Sequence, residues 1–225
     1  MKGDSEYMSS YNEIKDIYQD SQLRMMGIHA AGTWHVDPKR LGFVLSRYKF
    51  VAKMLAGKSK VLEIGAGDAW ASRIVKQGVG ELTCLDVDEE FITNSNQIFD
   101  SKWPVITEHH DMTRPYKSKR FDAIYGIDVL EHIDPKMEES FLNNVCQALE
   151  PFGVAIFGMP SIESQIFSRN DNGHVNCKTG EAFRTIMLSK FENVFMFSMN
   201  DEVIHTGFFP MSQYLFAIGV SPRNR

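Results

Sequence analysis

The stretch Val61-Leu62-Glu63-Ile64-Gly65-Ala66-Gly67-Asp68 constrains the fold of this chain more than any other. An apolar run that enters two glycines without a spacer, then continues into a helix-patterned segment, reads as strand, tight turn and helix. Glycine lets the turn be sharp and lets a ligand lie against bare backbone. The unpaired N–H groups that open the helix favour an anion. Downstream the same texture repeats. Short apolar runs at Leu82–Leu85, Val105–Thr107, Phe121–Ile127 and Gly153–Gly158 alternate with amphipathic segments. That alternation predicts β-α units around a parallel sheet. Val194–Met199 and Gln213–Val220 are expected to close it as an antiparallel pair joined by a long connection.

Asp86 ends the second predicted strand, about 20 positions beyond the glycine turn, where a carboxylate can accept hydrogen bonds from both ribose hydroxyls. The neighbouring Asp88 is the better N-cap for the helix that follows. Glycine turn and acid together point to a cofactor containing adenosine. The dinucleotide pattern G-x-G-x-x-G needs a third glycine at position 70, and this chain has Trp70 there. A bulky indole disfavours close approach of the helix to a pyrophosphate, which weighs against a nicotinamide-dependent oxidoreductase.

Further stations follow in order. His110-Asp111-Met112 succeeds the third strand, and Phe121 to Ile133 runs through Ile127-Asp128-Val129-Leu130-Glu131-His132. Leu149-Glu150-Pro151-Phe152-Gly153 precedes the fifth strand. In register, these motifs closely resemble those of the class I S-adenosylmethionine-dependent methyltransferases, over roughly residues 60 to 220. The resemblance implies an α/β, Rossmann-like, seven-stranded and mostly parallel sheet in the order 3-2-1-4-5-7-6, with the last strand antiparallel. It implies S-adenosyl-L-methionine as methyl donor and S-adenosyl-L-homocysteine as product. Carried over by motif, the cofactor-binding residues are Glu63, Gly65, Ala66, Gly67, Asp86, Val87, Asp111, Met112, Ile127 and Asp128. The family commonly has a third glycine in its first motif, where Ala69 follows Asp68 here, and only minor adjustment is expected.

Residues 1–59 read as an N-terminal helical cap, and 60–225 as the core of one domain. Ser10-x-x-Glu13 is a capping box, and Asp37-Pro38 opens a second helix with buried positions at Leu41, Tyr48, Val51 and Leu55. Asp134-Pro135 is expected to open another helix in the same way. Between the cap helices, Met25 to His35 is a looser stretch of small residues, imidazoles and Trp34, suited to a lid over the ligand. Trp34 is therefore a cofactor-covering candidate. Imidazole titrates near neutrality. His132, His35 and His174 are accordingly the catalytic candidates, with His29 also available to take a proton from a hydroxyl or ammonium acceptor. Asp128, Glu131 and Asp134 lie close in sequence, but Glu131 and His132 already fall beside the cofactor, and no metal is assigned.

Composition sets the outer limits. A formal net charge of -5 argues against a nucleic-acid partner, although Arg114, Lys117, Lys119 and Arg120 share one loop. Cys84, Cys146 and Cys177 are too scattered for a thiolate zinc site and suit a reducing compartment. The N-terminus lacks the apolar run of a signal peptide, and no segment approaches membrane-spanning length. The expectation is a cytoplasmic enzyme, possible as a homodimer, that acts on a small-molecule acceptor and binds neither nucleic acid nor membrane. The favoured acceptor is a hydroxylated metabolite such as a sugar or surface-polysaccharide precursor, with a small, phosphorylated or plain amine as runner-up. A catalytically silent, partner-binding subunit and a nicotinamide enzyme are the competing readings.

Overall fold

The computed structural model describes residues 26–98, 102–166 and 173–223. The capping box at Ser10 lies outside them. Two helices come first, α1 (Ile28–Val36) and α2 (Pro38–Met54), followed by β1 (Lys60–Ile64) and α3 (Ser72–Lys76). The next units are β2 (Glu81–Asp86), α4 (Glu89–Gln97), β3 (Ile106–His109) and β4 (Phe121–Ile127). A 3-10 turn at Leu130–His132 leads to α5 (Glu138–Ala148), β5 (Leu149–Pro160) and α6 (Ile162–Gln165). The chain closes with α7 (Gly180–Lys190), β6 (Phe191–Asn200), β7 (Val203–His205) and β8 (Tyr214–Pro222).

The sheet order is β3-β2-β1-β4-β5-β8-β6-β7. Five neighbouring strands, β3 to β5, run parallel, and β8 inserts antiparallel between β5 and β6. This is the expected order with one addition. The long connection between the closing strands contains a three-residue strand, β7, paired antiparallel to the outer edge of β6. A segment this short carries too little periodicity to be read from sequence.

Strand alternation divides the core. Leu62 and Ile64 of β1 join Phe141, Leu142 and Val145 of α5 and Phe183 and Met187 of α7 on one face. On the other, Val61 of β1 joins Tyr48, Val51 and Leu55 at the α2 end of the cap and Val75 of α3. Each fully buried side chain of this size contributes about 2 kcal/mol. Within β4 a bulge between Phe121 and Ala123 breaks the strict alternation. Phe121 joins the α5 face, whereas Ala123 and Tyr125 face the cap.

Helix α2 begins as its sequence dictates. The Asp37 carboxylate accepts from the N–H groups of Lys39 and Arg40, and Pro38 occupies the first turn. Asp88 likewise caps α4, accepting from Glu90 N–H. Two local expectations are corrected. Helix α5 starts at Glu138, because Asp134 and Met137 instead form a preceding turn closed by Met137 N–H to Asp134 C=O. The stretch after Met25 is not a loop: residues 28–36 are helical. Gly32 within it costs about 1 kcal/mol relative to alanine. Tertiary hydrogen bonds offset that cost, since the open donors of the first turn are met from the core. Ile28 N–H reaches Asn94 Oδ1 at 3.0 Å, and Ala30 N–H reaches Asp68 Oδ2 at 2.9 Å. Among the described residues no helix is long and apolar enough to cross a membrane.

Candidate active site

The carboxyl ends of β1, β2 and β4 open into a cavity of about 450 Å³, the place where open α/β sheets hold ligands. Gly65, Ala66 and Gly67 form one wall. Gly65 has φ +70° and Gly67 φ +55°. A Cβ on Gly65 would lie 2.4 Å from Val129 Cγ2, so the turn after β1 meets the turn after β4 with no room for a side chain. Asp86 stands at the tip of β2. Its Oδ2 accepts from Gly67 N–H at 2.7 Å and its Oδ1 from Asp88 N–H at 2.9 Å. The carboxylate is thus fixed at the cavity edge by two backbone donors.

Val87, Asp111, Met112, Ile127, Asp128 and His132 continue the wall. Asp111 Oδ1 accepts from both the backbone N–H and the hydroxyl of Thr113. Burial works to raise the Asp111 carboxyl, but the Thr113 hydrogen bonds, with Arg114 and His110 nearby, outweigh it and hold the group below its usual range. Asp128 sits at φ +57° directly after β4, with its Oδ2 2.6 Å from Arg47 Nη1. The Arg47 guanidinium in turn lies 3.9 Å over the Tyr214 ring. Arg47 is thus engaged by Asp128 and Tyr214 at this edge of the cavity.

Helix α1 roofs the cavity through His29, Ala30 and Thr33. Its helical geometry corrects the lid assignment. Trp34 is 56% exposed, and neither it nor the exposed His35 lines the cavity, which meets the helix through His29, Ala30 and Thr33. The cap histidine that faces the ligand space is His29, edge-on to Phe91 with ring centroids 5.9 Å apart.

Glu63 also lies away from the wall. It is fully buried below the glycine turn. Its Oε1 accepts from Tyr48 at 2.6 Å, and its Oε2 from Tyr125 at 2.6 Å and from the Cys84 thiol at 3.6 Å. Burial raises its carboxyl and these donors oppose the rise. Glu63 therefore ties cap helix α2 to β1 and β4 and sets the height of the turn.

Sequence reasoning missed Asp68. Its two oxygens hold Ala30 N–H and Trp70 N–H, so it fastens the roof to the floor, and a Cβ on Gly27 would strike its carboxyl group at 2.2 Å. An acid directly after the glycine turn was the available signal.

His174 stands outside the cavity but touches its end. The His132 and His174 rings lie edge to face, 4.9 Å between centroids. The segment after α6 is brought there by Val175 N–H and Asn176 N–H, both donating to Glu131 C=O. Asn176 Nδ2 locks the arrangement through Glu138 Oε1 at 2.7 Å.

A glycine cradle, a backbone-anchored acid at the next strand tip and a second acid beside a buried methionine fit an adenosyl ligand with a carboxylate tail. The comparisons with known proteins agree. The model of a family described as a methyltransferase domain matches residues 62–157. Residues 62–157 thus match a methyltransferase domain, and the chain has the class I methyltransferase fold. The N-methyltransferase NodS of Bradyrhizobium japonicum WM9, solved in complex with S-adenosyl-L-homocysteine, superposes with a TM-score of 0.63 at 19% identity, covering 84% of this chain and 92% of NodS. The methyltransferase domain of bacterial CtHen1-C gives a TM-score of 0.66 at 15% identity over 80% of this chain and 98% of that domain. A chain from the complex between the Haloferax volcanii Trm112 methyltransferase activator and a methyltransferase gives 0.64 at 14% identity, covering 88% and 100% respectively. No curated protein sequence matches. At these identities the neighbours speak to the methyltransferase fold, and the acceptor has to be argued from this chain's own residues.

Proposed function

We propose that this methyltransferase modifies a small acceptor, a hydroxylated metabolite in first place and a small amine in second, with residues 1–59 acting as a cap on the single domain. The observation that carries the reading is the roofed cavity: one continuous space runs from the Gly65–Gly67 turn to His132 under helix α1. A macromolecular acceptor would need an open or basic approach, and the net charge of -5 offers no general attraction for nucleic acid.

S-adenosylmethionine supplies a methyl group already activated by positive sulfur. The chain's task is then to position the acceptor in line and keep water out. Asp86 holds the ribose hydroxyls, and the Gly65–Gly67 backbone receives the carboxylate tail. Asp111 and Met112 take the adenine, while Val87, Ile127 and Asp128 complete the wall. Asp68 and Asn94 keep α1 closed over this set by their bonds to its first turn. His132 and His174 stand at the acceptor end, where the reacting oxygen or nitrogen has to be held.

Calorimetric titration of the purified protein with S-adenosyl-L-homocysteine tests this reading. Micromolar, saturable binding is expected, with no binding of NADH. Asp86→Ala should weaken the product's affinity by about a hundredfold, the loss of two hydrogen bonds to a charged group at roughly 1.5 kcal/mol each. A well-folded protein that binds NADH and not the homocysteine product would return the nicotinamide reading.

A further inference from the structure

Glu131 is the least satisfied polar group in the described structure. Its side chain is fully buried, and among the described residues no other residue donates a hydrogen bond to either carboxylate oxygen. Leaving a carboxylate dry and unpaired is costly, so such a group is either protonated or compensated by a cation. Burial, and then the neighbouring Asp128, push the Glu131 carboxyl well above its ordinary value. The cationic side chain that bears on it, Arg47, is already engaged by Asp128.

Two imidazoles face the same point. One ligand atom from each of Glu131, His132 and His174 lies within 4.8 Å of the others. His132 Nδ1 lies 3.1 Å from Gly173 C=O, and His174 Nδ1 lies 2.7 Å from Gln165 Oε1. Gly173 C=O can only accept, so His132 Nδ1 donates to it, and Gln165 Oε1 gives His174 Nδ1 the same kind of partner. A second oxygen partner that fixes tautomer and ring orientation in this way is the usual support of a metal-bound histidine. The scaffold behind the three residues is equally fixed, through the two N–H groups on Glu131 C=O and the Asn176–Glu138 bond.

We propose that Glu131, His132 and His174 bind a divalent transition-metal cation that holds the acceptor's hydroxyl oxygen at the end of the methyl-donor cavity. Two nitrogens and one carboxylate oxygen suit manganese, iron, cobalt or zinc better than magnesium, and leave further positions open for oxygen ligands. A cation with bonds of about 2.1 Å would draw the ligand atoms to roughly 3 Å apart, a movement within reach of side-chain rotation. The site rests on the methyltransferase reading and narrows its acceptor class to alcohols, because the cation acidifies a bound hydroxyl as it does water. The acceptor oxygen releases its proton to water at the cavity mouth and forms the new O–C bond. The C–S bond breaks with its electron pair retained by sulfur, giving the neutral thioether product. The two histidines act here as cation ligands, not as a general base.

The test uses the full chain stripped with EDTA and titrated with Mn²⁺, following loss of the free-ion signal by electron paramagnetic resonance. One equivalent per chain is expected. Glu131→Gln and His174→Ala should each weaken Mn²⁺ at least tenfold while S-adenosyl-L-homocysteine, measured by calorimetry on the same samples, binds as before. Absence of saturable Mn²⁺ binding, or binding that survives both substitutions, overturns the site. If the homocysteine product binds and Mn²⁺ does not, the cation site alone falls. If neither binds, the methyltransferase reading falls with it.

Discussion

Strands β1 and β4 lie side by side, and the turns that leave them are built from matching parts with opposite chemistry. Each presents a fully buried glutamate, Glu63 in β1 and Glu131 just after β4. Each turn also bends through a non-glycine residue in the left-handed region, Ala69 at φ +52° and Asp128 at φ +57°. Glu63 is saturated, with two tyrosine hydroxyls and a thiol donating to it, whereas no side chain among the described residues donates to Glu131. Burial alone therefore says nothing about the role of a carboxylate. Its hydrogen-bond inventory separates one that supports the floor of a cofactor site from one held ready for a ligand.

Substituting each glutamate breaks the comparison most sharply. Glu63→Ala strands Tyr48 and Tyr125 with unpaired hydroxyls in the core and should cost about 3–5 kcal/mol. That corresponds to a fall of roughly 6–20 °C in the melting temperature of a chain this size, read by scanning calorimetry. Glu131→Leu removes an uncompensated acid and should leave the metal-free protein unchanged or up to about 2 kcal/mol more stable. A Glu131→Leu loss matching that of Glu63→Ala would mean that Glu131 has a structural partner after all, and the contrast between the turns would collapse.

Much of this was legible in the sequence, and the failures have a common cause. The strand-turn-strand spacing from Val61 to Asp86 specified the sheet and the cofactor wall, because strand tips and glycine turns act through local backbone geometry. The helical state of residues 28–36 was hidden, since its first turn is completed by Asn94 and Asp68 from distant positions. His35 and Trp34 were consequently assigned to a lid they do not form, and His29 was undervalued. Glu131 was visible in its motif, but its want of partners is a property of packing. Its meeting with His174 depends on the bonds that dock residues 175 and 176 onto Glu131 C=O.

A smaller effect follows from pH. The folded-state value of Glu131 is raised above its unfolded one by burial and by Asp128. Stability from the protonated form is thus fully present below the unfolded value, near pH 4.5. It is lost as pH rises toward and through the folded value. The metal-free protein should lose melting temperature as pH rises above the unfolded value, and Glu131→Gln should flatten that slope. Saturating Mn²⁺ should flatten it as well, since the ionised carboxylate then has its cation. Glu63 carries a raised value too, so a residual slope in Glu131→Gln is expected. A slope unchanged in that variant would place the titration on the Glu63 side.

The smallest expected effect distinguishes the two strained bends. Ala69 in the left-handed region costs about 1 kcal/mol relative to glycine, but its methyl is fully buried and contributes nearly as much. Ala69→Gly should therefore change stability by less than about 1 kcal/mol, with S-adenosyl-L-homocysteine affinity kept. At Asp128 the same exchange removes the side chain that engages Arg47, leaving a guanidinium packed on Tyr214 with its main anionic partner gone. Relief of strain there is outweighed, and Asp128→Gly should lower the melting temperature where Ala69→Gly does not. Equal, near-zero effects at both positions would show that the Arg47–Asp128 pair adds nothing to stability. The β4 turn would then hold its shape through backbone contacts alone, chief among them Asp128 N–H to Gly158 C=O at 3.0 Å.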